Sequence, residues 1–518
     1  MSQEPAALSD PRQAKTFPQL VRSAAAAYGD ETAIVLRDAS IPDESATFAE
    51  LNEKSALIAR GLLALGVGKG SRIGFICGNG PRFAIWFAAA ARIGAIAIPI
   101  STMIRSNELV RVLRQSDIHG LYVQRELLGK DFVERLCDAL PELADATSPE
   151  LRLARVPYLR WIVSHGDNLP PAFRSMDFIS KAAESVGDDL LREVEQEVHT
   201  TDQLVEIYTS GSMALPKGVK HNHGPALFRS HYLVEMLGPQ RGKESQAMMP
   251  MFWVGGMMMW LVPNWEVGAI TVCTERTLSN SRMAFGSVPS DEDLALLSKA
   301  PKPWWGLGMS ETLGPYSHGD EFRVPGRPIC APMDHIAPGY EVRIADENNQ
   351  PVGAGEVGEM QLRGYPVATG LHKLERQDYY TPDGYFKTGD LCEIEDRPQG
   401  RRIHFVGRNG DMIKTMGSNV SPAEVEMEMQ SLEGVHNAYV LGLPDTERGH
   451  LLVAAVVPRD GAELDFDQIE ATLRRRLSSY KVPRAYVALA REDVPLLPSN
   501  KVARRELVRM MAQRLGRE

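Results

Sequence analysis

The segment that most constrains what this chain can fold into is residues 208–219, Tyr-Thr-Ser-Gly-Ser-Met-Ala-Leu-Pro-Lys-Gly-Val. It follows an apolar segment, residues 204–208, that predicts a strand, and its glycines and proline exclude a helix. Glycines let backbone N–H groups approach an anion, hydroxyls add neutral donors, and Lys217 adds a positive charge. The pattern predicts a polyphosphate-binding loop, although the same residues also suit a surface turn rich in serine and glycine. It is not the common P-loop, because no Gly-Lys-Ser/Thr closes it.

Apolar strands and amphipathic helices alternate through the first part of the chain. Thr47 and Glu50 have the spacing of a capping box, which predicts a helix over residues 47–66. The same patterning predicts strands at 73–77, 95–98 and 121–123 and helices at 83–91 and 106–116. This alternation indicates a parallel α/β sheet covered by helices on both faces. Ligands of such sheets bind at the carboxyl ends of strands, where the loop after residue 208 would lie.

Length and composition limit the architecture and the partners. At 518 residues the chain exceeds what one hydrophobic core normally serves, so two or more domains are expected. A net charge of −10 argues against a nucleic-acid partner. The five cysteines lack CxxC spacing, which favours free thiols in a reducing cytoplasm. The N-terminus lacks the plan of a signal peptide, and the most apolar stretch, residues 83–100, is too interrupted to span a bilayer.

The pattern changes downstream of residue 356 to short strands and turns, with strands predicted at 357–363, 384–391 and 402–407. Ser421 then begins a capping box with proline at the first helical position. Strands predicted at 438–443 and 451–457 and a helix at 465–477 complete a small α+β domain. We therefore divide the chain into residues 1–407 and residues 408–518.

Five segments, in this order, resemble motifs of the adenylate-forming enzymes, the family of acyl-CoA synthetases, peptide-synthetase adenylation domains and luciferases. They are the segment at 208–219, Gly-Met-Ser-Glu at 308–311, Gly-Tyr-Phe-Lys-Thr-Gly-Asp-Leu at 384–391, the run at 407–422 and Pro-Ser-Asn-Lys-Val-Ala-Arg at 498–504. We name the first of them the signature loop. Its usual form is Thr-Ser-Gly-Ser/Thr-Thr-Gly-x-Pro-Lys-Gly, and here Met213 and Ala214 replace Thr and Gly. The resemblance extends from about residue 15 to 507.

The resemblance implies a fold class and an organisation of domains. The fold is α/β, with a large N-terminal domain of several subdomains, built from parallel sheets covered by helices plus a β-rich subdomain. A small mobile α+β C-terminal domain follows, with its hinge at Gly410.

The resemblance also implies which residues bind the nucleotide. Asp390 would accept hydrogen bonds from both ribose hydroxyls, and Arg408 would reach the ribose or a phosphate. A carboxylate beside a hydroxyl suits Mg²⁺, so Ser310 and Glu311 would hold the ion that accompanies ATP, with Glu311 as metal ligand. Leu307 replaces the aromatic residue that usually stacks on adenine, and Trp305 lies nearby but out of register. The phosphate-binding residues implied by the signature loop are Thr209, Ser210, Gly211, Ser212 and Lys217.

Three positions of the C-terminal domain take part in catalysis in the resembled family. Lys501 would lie between the acyl carboxylate and the α-phosphate and stabilise the charge of the transition state. Lys414 and the turn at Gly417 belong to the face presented to the active site in the thioester-forming orientation. Together with Glu311, Lys501 and Lys414 are the predicted catalytic residues.

The Met-rich run at residues 251–260, Met-Phe-Trp-Val-Gly-Gly-Met-Met-Met-Trp, is by pattern alone a core segment. In the resembled family the aromatic pair borders the acyl pocket, with Trp253 closest to the reacting carboxylate. We therefore predict a substrate wall made of Trp253, Gly255, Gly256 and Met257. Only 58 positions separate Phe252 from Ser310, and the Gly-Gly-Ala turn that binds adenine in the family is absent.

The resulting expectation is an ATP-dependent acyl-CoA synthetase acting on a hydrophobic aliphatic or aromatic carboxylic acid. Its cofactors would be ATP, Mg²⁺ and coenzyme A, and a homodimer is compatible with this interpretation. Two alternatives stay open. The acceptor could be a carrier-protein thiol, or the chain could be a nucleotide-binding pseudoenzyme, as the shortened segment between 252 and 310 suggests.

Overall fold

The computed structural model describes the chain in segments, and two compact units can be distinguished in it. Unit 1 consists of Met1–Arg282, Met309–Gly314 and Tyr365–Asp378, and unit 2 of Met283–Gly308, Pro315–Gly364 and Tyr379–Glu518. The described residues are 10–38, 41–102, 104, 106–209, 217–275, 304–321, 324, 330–409, 413–415, 418–420, 422–445, 449–477, 481–497 and 502–517. The sequence also predicts a short helix around residues 291–297, and these residues lie outside the described ones.

Unit 1 is built on a central sheet of eight strands. From one edge to the other they are Gly370–Leu371, Lys217–Asn222, Gln203–Thr209, Ile96–Ile100, Arg72–Ile76, Gly120–Val123, Trp161–Ser164 and Phe173–Ser175. The strands from Gln203–Thr209 to Phe173–Ser175 pair in parallel, and the first two pair antiparallel. Every residue of Gly120–Val123 is buried, as expected for a strand with helices on both faces. The predicted parallel α/β sheet is confirmed.

A second sheet and the helices complete unit 1. The sheet contains Glu244–Gln246, Ile270–Cys273, Thr32–Asp38 and Ile41–Thr47. The helices that cover the two sheets are Phe17–Tyr28, Phe48–Ala64, Pro81–Arg92, Ser106–Gln115, Phe132–Ala139, Asp177–Ala183, Asp188–Gln196 and His223–Leu237. The predicted capping box is present, because Glu50 N–H donates to Thr47 Oγ1 at 3.1 Å and Thr47 N–H donates to Glu50 Oε2 at 3.0 Å.

The upstream part of unit 2 contains a four-stranded antiparallel sheet of Tyr340–Ala345, Val357–Gly364, Phe386–Arg397 and Gly400–Arg408. A smaller sheet contains Trp304–Trp305, Ser317–Gly319 and His335–Ile336. The strands predicted at 357–363, 384–391 and 402–407 are therefore confirmed. The first and third agree with the observed ends within two residues, whereas the second begins two residues later than predicted and continues six residues further, to Arg397. The register places Asp390 opposite Arg408.

The downstream part of unit 2 contains a sheet of Val435–Asp445, Gly449–Pro458 and Ala485–Ala488. The remaining elements are the hairpin of Ile413–Thr415 and Ser418–Val420 and the helices Pro422–Gln430, Phe466–Arg476 and Arg504–Arg514. Alternate residues of the first strand join two different clusters, one with Val440 packed among Val425 and Leu473 and one with Leu441 near Leu507. The predicted strands and helix of this region are confirmed. The boundary after residue 407 stays a prediction.

All five cysteines are unpaired thiols. In the part of the chain that the structure describes, no helix is both long enough and apolar enough to cross a membrane.

Candidate active site

The two stems of the signature loop form an antiparallel pair in unit 1. The strand Gln203–Thr209 leads into the loop and Lys217–Asn222 leads out of it, with Thr209 opposite Lys217 and Tyr208 opposite Gly218. The loop therefore begins at the carboxyl end of a strand that belongs to the parallel part of the sheet, as ligand-binding loops of such folds do. Of the predicted phosphate-binding residues, Thr209 and Lys217 end these stems. The other three, Ser210, Gly211 and Ser212, lie outside the described residues.

A short 3₁₀ turn, Ser310–Thr312, carries the predicted magnesium ligand Glu311. Two hydrogen bonds fix its backbone, one from His221 Nε2 to Ser310 O at 2.7 Å and one from Ala368 N–H to Glu311 O at 2.8 Å. His221 belongs to the second stem of the signature loop. The structure therefore brings Ser310 and Glu311 together with the signature-loop stems in unit 1, although the sequence separates them by some ninety positions.

His221 is a residue that the sequence analysis missed. Burial lowers the pKa of its imidazole to about 4, so the ring is neutral at physiological pH and its Nε2–H donates to the Ser310 carbonyl. The only sequence sign was a polar residue at an inward position of an alternating strand, since His221 is buried between half-buried neighbours. His221 therefore holds the backbone of the turn that carries Glu311.

The single carboxylate of Glu311 fits a magnesium ion that arrives with the nucleotide. In the described segments, no group of three or more His, Cys, Asp or Glu side chains could hold a metal ion. Magnesium is commonly bound by one or two carboxylates together with substrate phosphates and water, so a site with one protein carboxylate suits ATP·Mg²⁺ as substrate.

The predicted substrate wall lies on a helix of unusual winding in unit 1. It runs through Val254–Gly256, a π-helical turn Met257–Leu261 and Val262–Val267. In the π turn Val262 N–H bonds to Met257 O, five residues back. Pro263 follows directly, and its missing N–H and bulky ring disfavour an ordinary α-helical bond to the preceding turn. Proline therefore gives a physical reason for the local change of winding.

Packing leaves no room for a larger residue at Gly256, whereas at Gly255 only the flexible Met249 side chain is in the way. A Cβ at Gly256 would collide with the Pro250 carbonyl, and one at Gly255 with the Met249 sulfur. Met257 is fully buried, whereas Trp253 is half-buried with its ring edge-on to Phe252. Because Gly256 lies this close to Pro250, the backbone of the predicted substrate wall is packed directly against the segment of residues 249–250.

Asn79 holds the segment of residues 249–251, which packs against this wall. The sequence analysis did not identify this residue. It follows the strand Arg72–Ile76 at the carboxyl end of the central sheet, and it is buried. Its amide Oδ1 accepts from Met251 N–H at 2.8 Å and its Nδ2 donates to Met249 O at 3.5 Å. The chain just before Phe252 and Trp253 is thus tied to the central sheet.

In unit 2 the two predicted ribose-binding residues contact each other. Asp390 Oδ1 lies 2.8 Å from Arg408 Nε, and Arg408 Nη2 donates to Thr388 O at 2.9 Å. Asp390 is buried and its backbone N–H donates to Thr388 Oγ1 at 3.0 Å. Gly389 precedes it with φ of 74°, a conformation that favours glycine. The carboxylate is held rigidly, and the guanidinium is half-exposed.

The remaining predicted residues have a more limited description. Lys414 lies on the strand Ile413–Thr415, while Gly410, Gly417 and Lys501 lie outside the described residues. Leu307 N–H donates to Ser317 Oγ at 2.9 Å, and the Trp305 ring packs edge-on against His318 with ring centroids 6.3 Å apart. The roles predicted for these residues stay predictions.

The fold and this arrangement define an adenylate-forming ligase, and comparison with known proteins agrees. Residues 21–288 match the family model for AMP-binding enzymes, and residues 424–501 match the model for the C-terminal domain of AMP-binding enzymes. The chain belongs to the AMP-binding enzyme family. Enzymes of this family use ATP with Mg²⁺, and coenzyme A as a co-substrate.

Individual relatives are distant but extend over nearly the whole chain. A feruloyl-CoA synthase from Amycolatopsis sp is 26% identical over 506 residues, covering 89% of this chain and 93% of its own. The crystal structure of the anthranilate CoA ligase AuaEII with anthranoyl-AMP superposes with a TM-score of 0.74 at 20% identity, over 97% of this chain and 98% of that one. ATP-bound MatB from Rhodopseudomonas palustris gives a TM-score of 0.72 at 20% identity, covering 96% and 99%. These likenesses confirm the predicted fold class.

Proposed function

We propose that this protein is an ATP-dependent acyl-CoA synthetase. In the first half-reaction an oxygen of the carboxylic acid attacks the α-phosphorus of ATP, forming an acyl-adenylate as the bond to pyrophosphate breaks. In the second, the sulfur of coenzyme A attacks the acyl carbon, and the bond to AMP breaks. The observation that carries the proposal is the His221–Ser310 hydrogen bond, because it fixes Glu311 to the stem of the signature loop.

Each predicted residue has a role in this sequence of steps. The signature loop binds the phosphates through N–H groups, hydroxyls and Lys217. Glu311 with Ser310 holds the magnesium ion of the substrate, and that ion neutralises phosphate charge. Asp390 accepts from the ribose hydroxyls while Arg408 supplies positive charge beside it.

The C-terminal residues divide the two half-reactions between them. Lys501 stabilises the charge that develops as the carboxylate attacks. A torsion change at Gly410 then replaces Lys501 with the face that carries Lys414 and Gly417, and the thioester forms. Glycine at the hinge allows that change at little steric cost.

The acid is proposed to be hydrophobic. The wall around Trp253 and Met257 offers aromatic and thioether groups, which suit an aliphatic or aromatic acid better than acetate. The relatives named for feruloyl-CoA and anthranilate act on aromatic acids, which supports the aromatic choice. Unpaired thiols at all five cysteines favour a reducing compartment such as the cytoplasm.

A panel of carboxylic acids tests the proposal. Pyrophosphate release is measured for short, medium and long aliphatic acids and for substituted benzoic and cinnamic acids, each with and without coenzyme A. We expect release with hydrophobic acids and conversion to the acyl-CoA when coenzyme A is present. A carrier protein offered in place of coenzyme A tests the other acceptor, and exclusive transfer to it would replace the proposal.

The replaced residues of the motifs favour one rival, a nucleotide-binding protein without turnover. Met213, Ala214 and Leu307 stand where the family has a hydroxyl, a glycine and an aromatic ring. Calorimetry separates the two functions. Binding of ATP by a folded protein that exchanges pyrophosphate with no acid of the panel would establish the rival.

A further inference from the structure

A fully buried carboxylate, Glu206, lies in the strand that leads into the signature loop, among the apolar residues Leu204, Val205 and Ile207. Its Oε1 accepts from Tyr208 Oη at 2.6 Å, and its Oε2 accepts from Gln203 Nε2 at 3.2 Å. The same Oε2 forms an ion pair with Arg72. Burying a charge is costly unless it is paired and hydrogen-bonded, and Glu206 meets that condition.

A second set of side chains extends this cluster to Asp117. His372 Nδ1 lies 3.7 Å from Glu206 Oε2, and His372 Nε2 lies 3.1 Å from Asp117 Oδ2. Lys373 Nζ reaches Asp117 Oδ1 at 2.6 Å. Burial lowers the pKa of His372, while Glu206 and Asp117 act in the opposite direction.

The cluster touches both stems of the loop. Tyr208 is on the first stem. The backbone N–H of His372 donates to the Gly218 carbonyl on the second stem at 2.7 Å. Tyr208 and Gly218 are direct partners across the antiparallel pair. A Cβ at Gly218 would lie 2.6 Å from Glu206 Oε1 and 2.8 Å from Tyr208 Cζ, so only glycine leaves room for this pair of side chains.

We propose that Glu206 is a positioning residue for the binding of ATP, which sets the spacing and register of the two stems that lead into and out of the signature loop. The inference rests on the proposed function, because it assigns the phosphates to that loop. An apolar side chain of similar volume would satisfy the packing at lower desolvation cost. The carboxylate adds directional bonds to Tyr208, Gln203 and Arg72, which hold the first stem. The second stem is reached through His372, whose ring lies beside Glu206 and whose backbone N–H donates to the Gly218 carbonyl.

The test compares Glu206→Gln with Glu195→Gln. Glu195 is a matched control because it is also buried in unit 1, pairs with Arg92 and Arg22, and belongs to the helix Asp188–Gln196 rather than to a stem. We expect both variants to lower Tm. Only Glu206→Gln should raise the KM and the calorimetric Kd for ATP. We expect a rise of about tenfold, because one charge-assisted contact is weakened. The KM for the acid should stay within about twofold of wild type.

Tyr208→Phe removes one donor to the carboxylate and should raise the Kd for ATP in the same direction by a smaller factor. If Glu206→Gln does not fold, Tyr208→Phe replaces it in the comparison with Glu195→Gln. Hydrogen exchange adds an independent readout, with faster exchange expected in both stems, residues 203–209 and 217–222, for the Glu206 and Tyr208 variants alone.

The outcomes separate this inference from the proposed function. Unchanged ATP affinity in a folded Glu206→Gln enzyme that still turns over would overturn the inference and leave the synthetase intact. An equal rise of both KM values in the Glu206 and Glu195 variants would reduce Glu206 to a stability role and also overturn it. Wild-type protein that binds ATP without turnover would overturn the synthetase alone, and calorimetry would still compare the variants.

Discussion

Arg408 Nε lies 2.8 Å from Asp390 Oδ1 across neighbouring antiparallel strands, with the carboxylate side chain 7% and the guanidinium side chain 53% exposed. The two side chains therefore differ strongly in their exposure to solvent. The carboxylate has a fixed, nearly dry position, whereas the guanidinium reaches solvent and still donates to the Thr388 carbonyl. Such a pair can present a rigid acceptor for hydroxyls beside a cation that stays hydrated.

Replacing Arg408 with alanine should weaken AMP binding. Asp390 would lose its ion-pair partner, and a buried carboxylate without that pair favours protonation or a new rotamer. We expect the calorimetric Kd for AMP to rise about tenfold or more. Arg401→Ala is the control, since Arg401 pairs with Asp396 at 3.2 Å on the same two strands and both are exposed. Equal effects of the two substitutions would contradict the ribose assignment.

Asn79→Ala should change recognition of the acid more than recognition of ATP. It removes both amide bonds to the segment before Trp253, so the proposed substrate wall loses its tie to the central sheet. We expect the KM for the acid to rise about fivefold to tenfold with the KM for ATP nearly constant. Asn437→Ala, which removes a buried amide that donates to Tyr439 Oη at 3.0 Å in unit 2, should lower Tm without this split. A parallel change of both KM values in Asn79→Ala would disprove the role.

Glu311→Gln should raise the magnesium requirement of adenylation. A neutral amide is a poorer ligand for a hard cation, so half-maximal activity should need more Mg²⁺ and kcat should fall about a hundredfold. Glu375→Gln changes an exposed carboxylate of the same unit and should leave both values near wild type. Chelation with EDTA should stop pyrophosphate release, and added Mg²⁺ should restore it. An unchanged magnesium titration would remove Glu311 from the site.

Lys501→Ala should separate the two half-reactions. Adenylation should fall about a hundredfold to a thousandfold because a charge aimed at the transition state is lost. Thioester formation from supplied acyl-adenylate should stay within about threefold of wild type, since Lys501 acts only before the domain rotation. The control is Lys130→Ala, because Lys130 is exposed and distant from Lys501 in the sequence. Equal loss in both half-reactions would contradict the assigned role.

His223 should make the protein sensitive to mild acid. Burial lowers the pKa of this imidazole to about 3, and its Nδ1 accepts from Phe17 N–H at 3.2 Å. Unfolding restores a pKa of about 6.5, so below that pH the unfolded chain binds a proton that the folded chain does not. Stability from this group is full above about pH 6.5 and falls by roughly 1.4 kcal/mol for each pH unit below it, down to about pH 3.

Urea unfolding between pH 7.5 and 5.0 measures this effect. His223→Gln, whose amide oxygen can still accept from Phe17, should show a shallower loss of unfolding free energy with falling pH than wild type. His199→Gln, at an exposed position, should follow the wild-type slope. A steeper slope in His223→Gln would refute the assignment of the buried neutral ring.

The strand Ile96–Ile100 has a feature that local sequence rules do not predict. The sequence predicted a strand at 95–98, and the observed strand Ile96–Ile100 continues through Pro99, which lacks the N–H that a central strand needs. On the side of the strand Gln203–Thr209 the register pairs only Ala97 with Val205, and Pro99 lies beyond that pair. The missing donor therefore breaks no ladder bond on that side, while on the other side Pro99 is paired with Phe75. Which neighbour a strand pairs with, and over which residues, depends on the assembled sheet.

The sequence by itself did not predict the strands Thr32–Asp38 and Ile41–Thr47 or the π turn Met257–Leu261. It did determine the strands and helices named in the sequence analysis, the capping box of Thr47 and Glu50, and the family through five ordered motifs. These depend on residues two to four positions apart or on contiguous runs, so periodicity and short motifs encode them. Only the tertiary structure decided that His221 holds the Glu311 turn, that Asn79 holds the segment before Trp253, and that Glu206 meets Arg72 and His372. Each of these contacts links distant segments through sheet register and burial, and no local pattern of residues specifies which polar group a buried donor will meet.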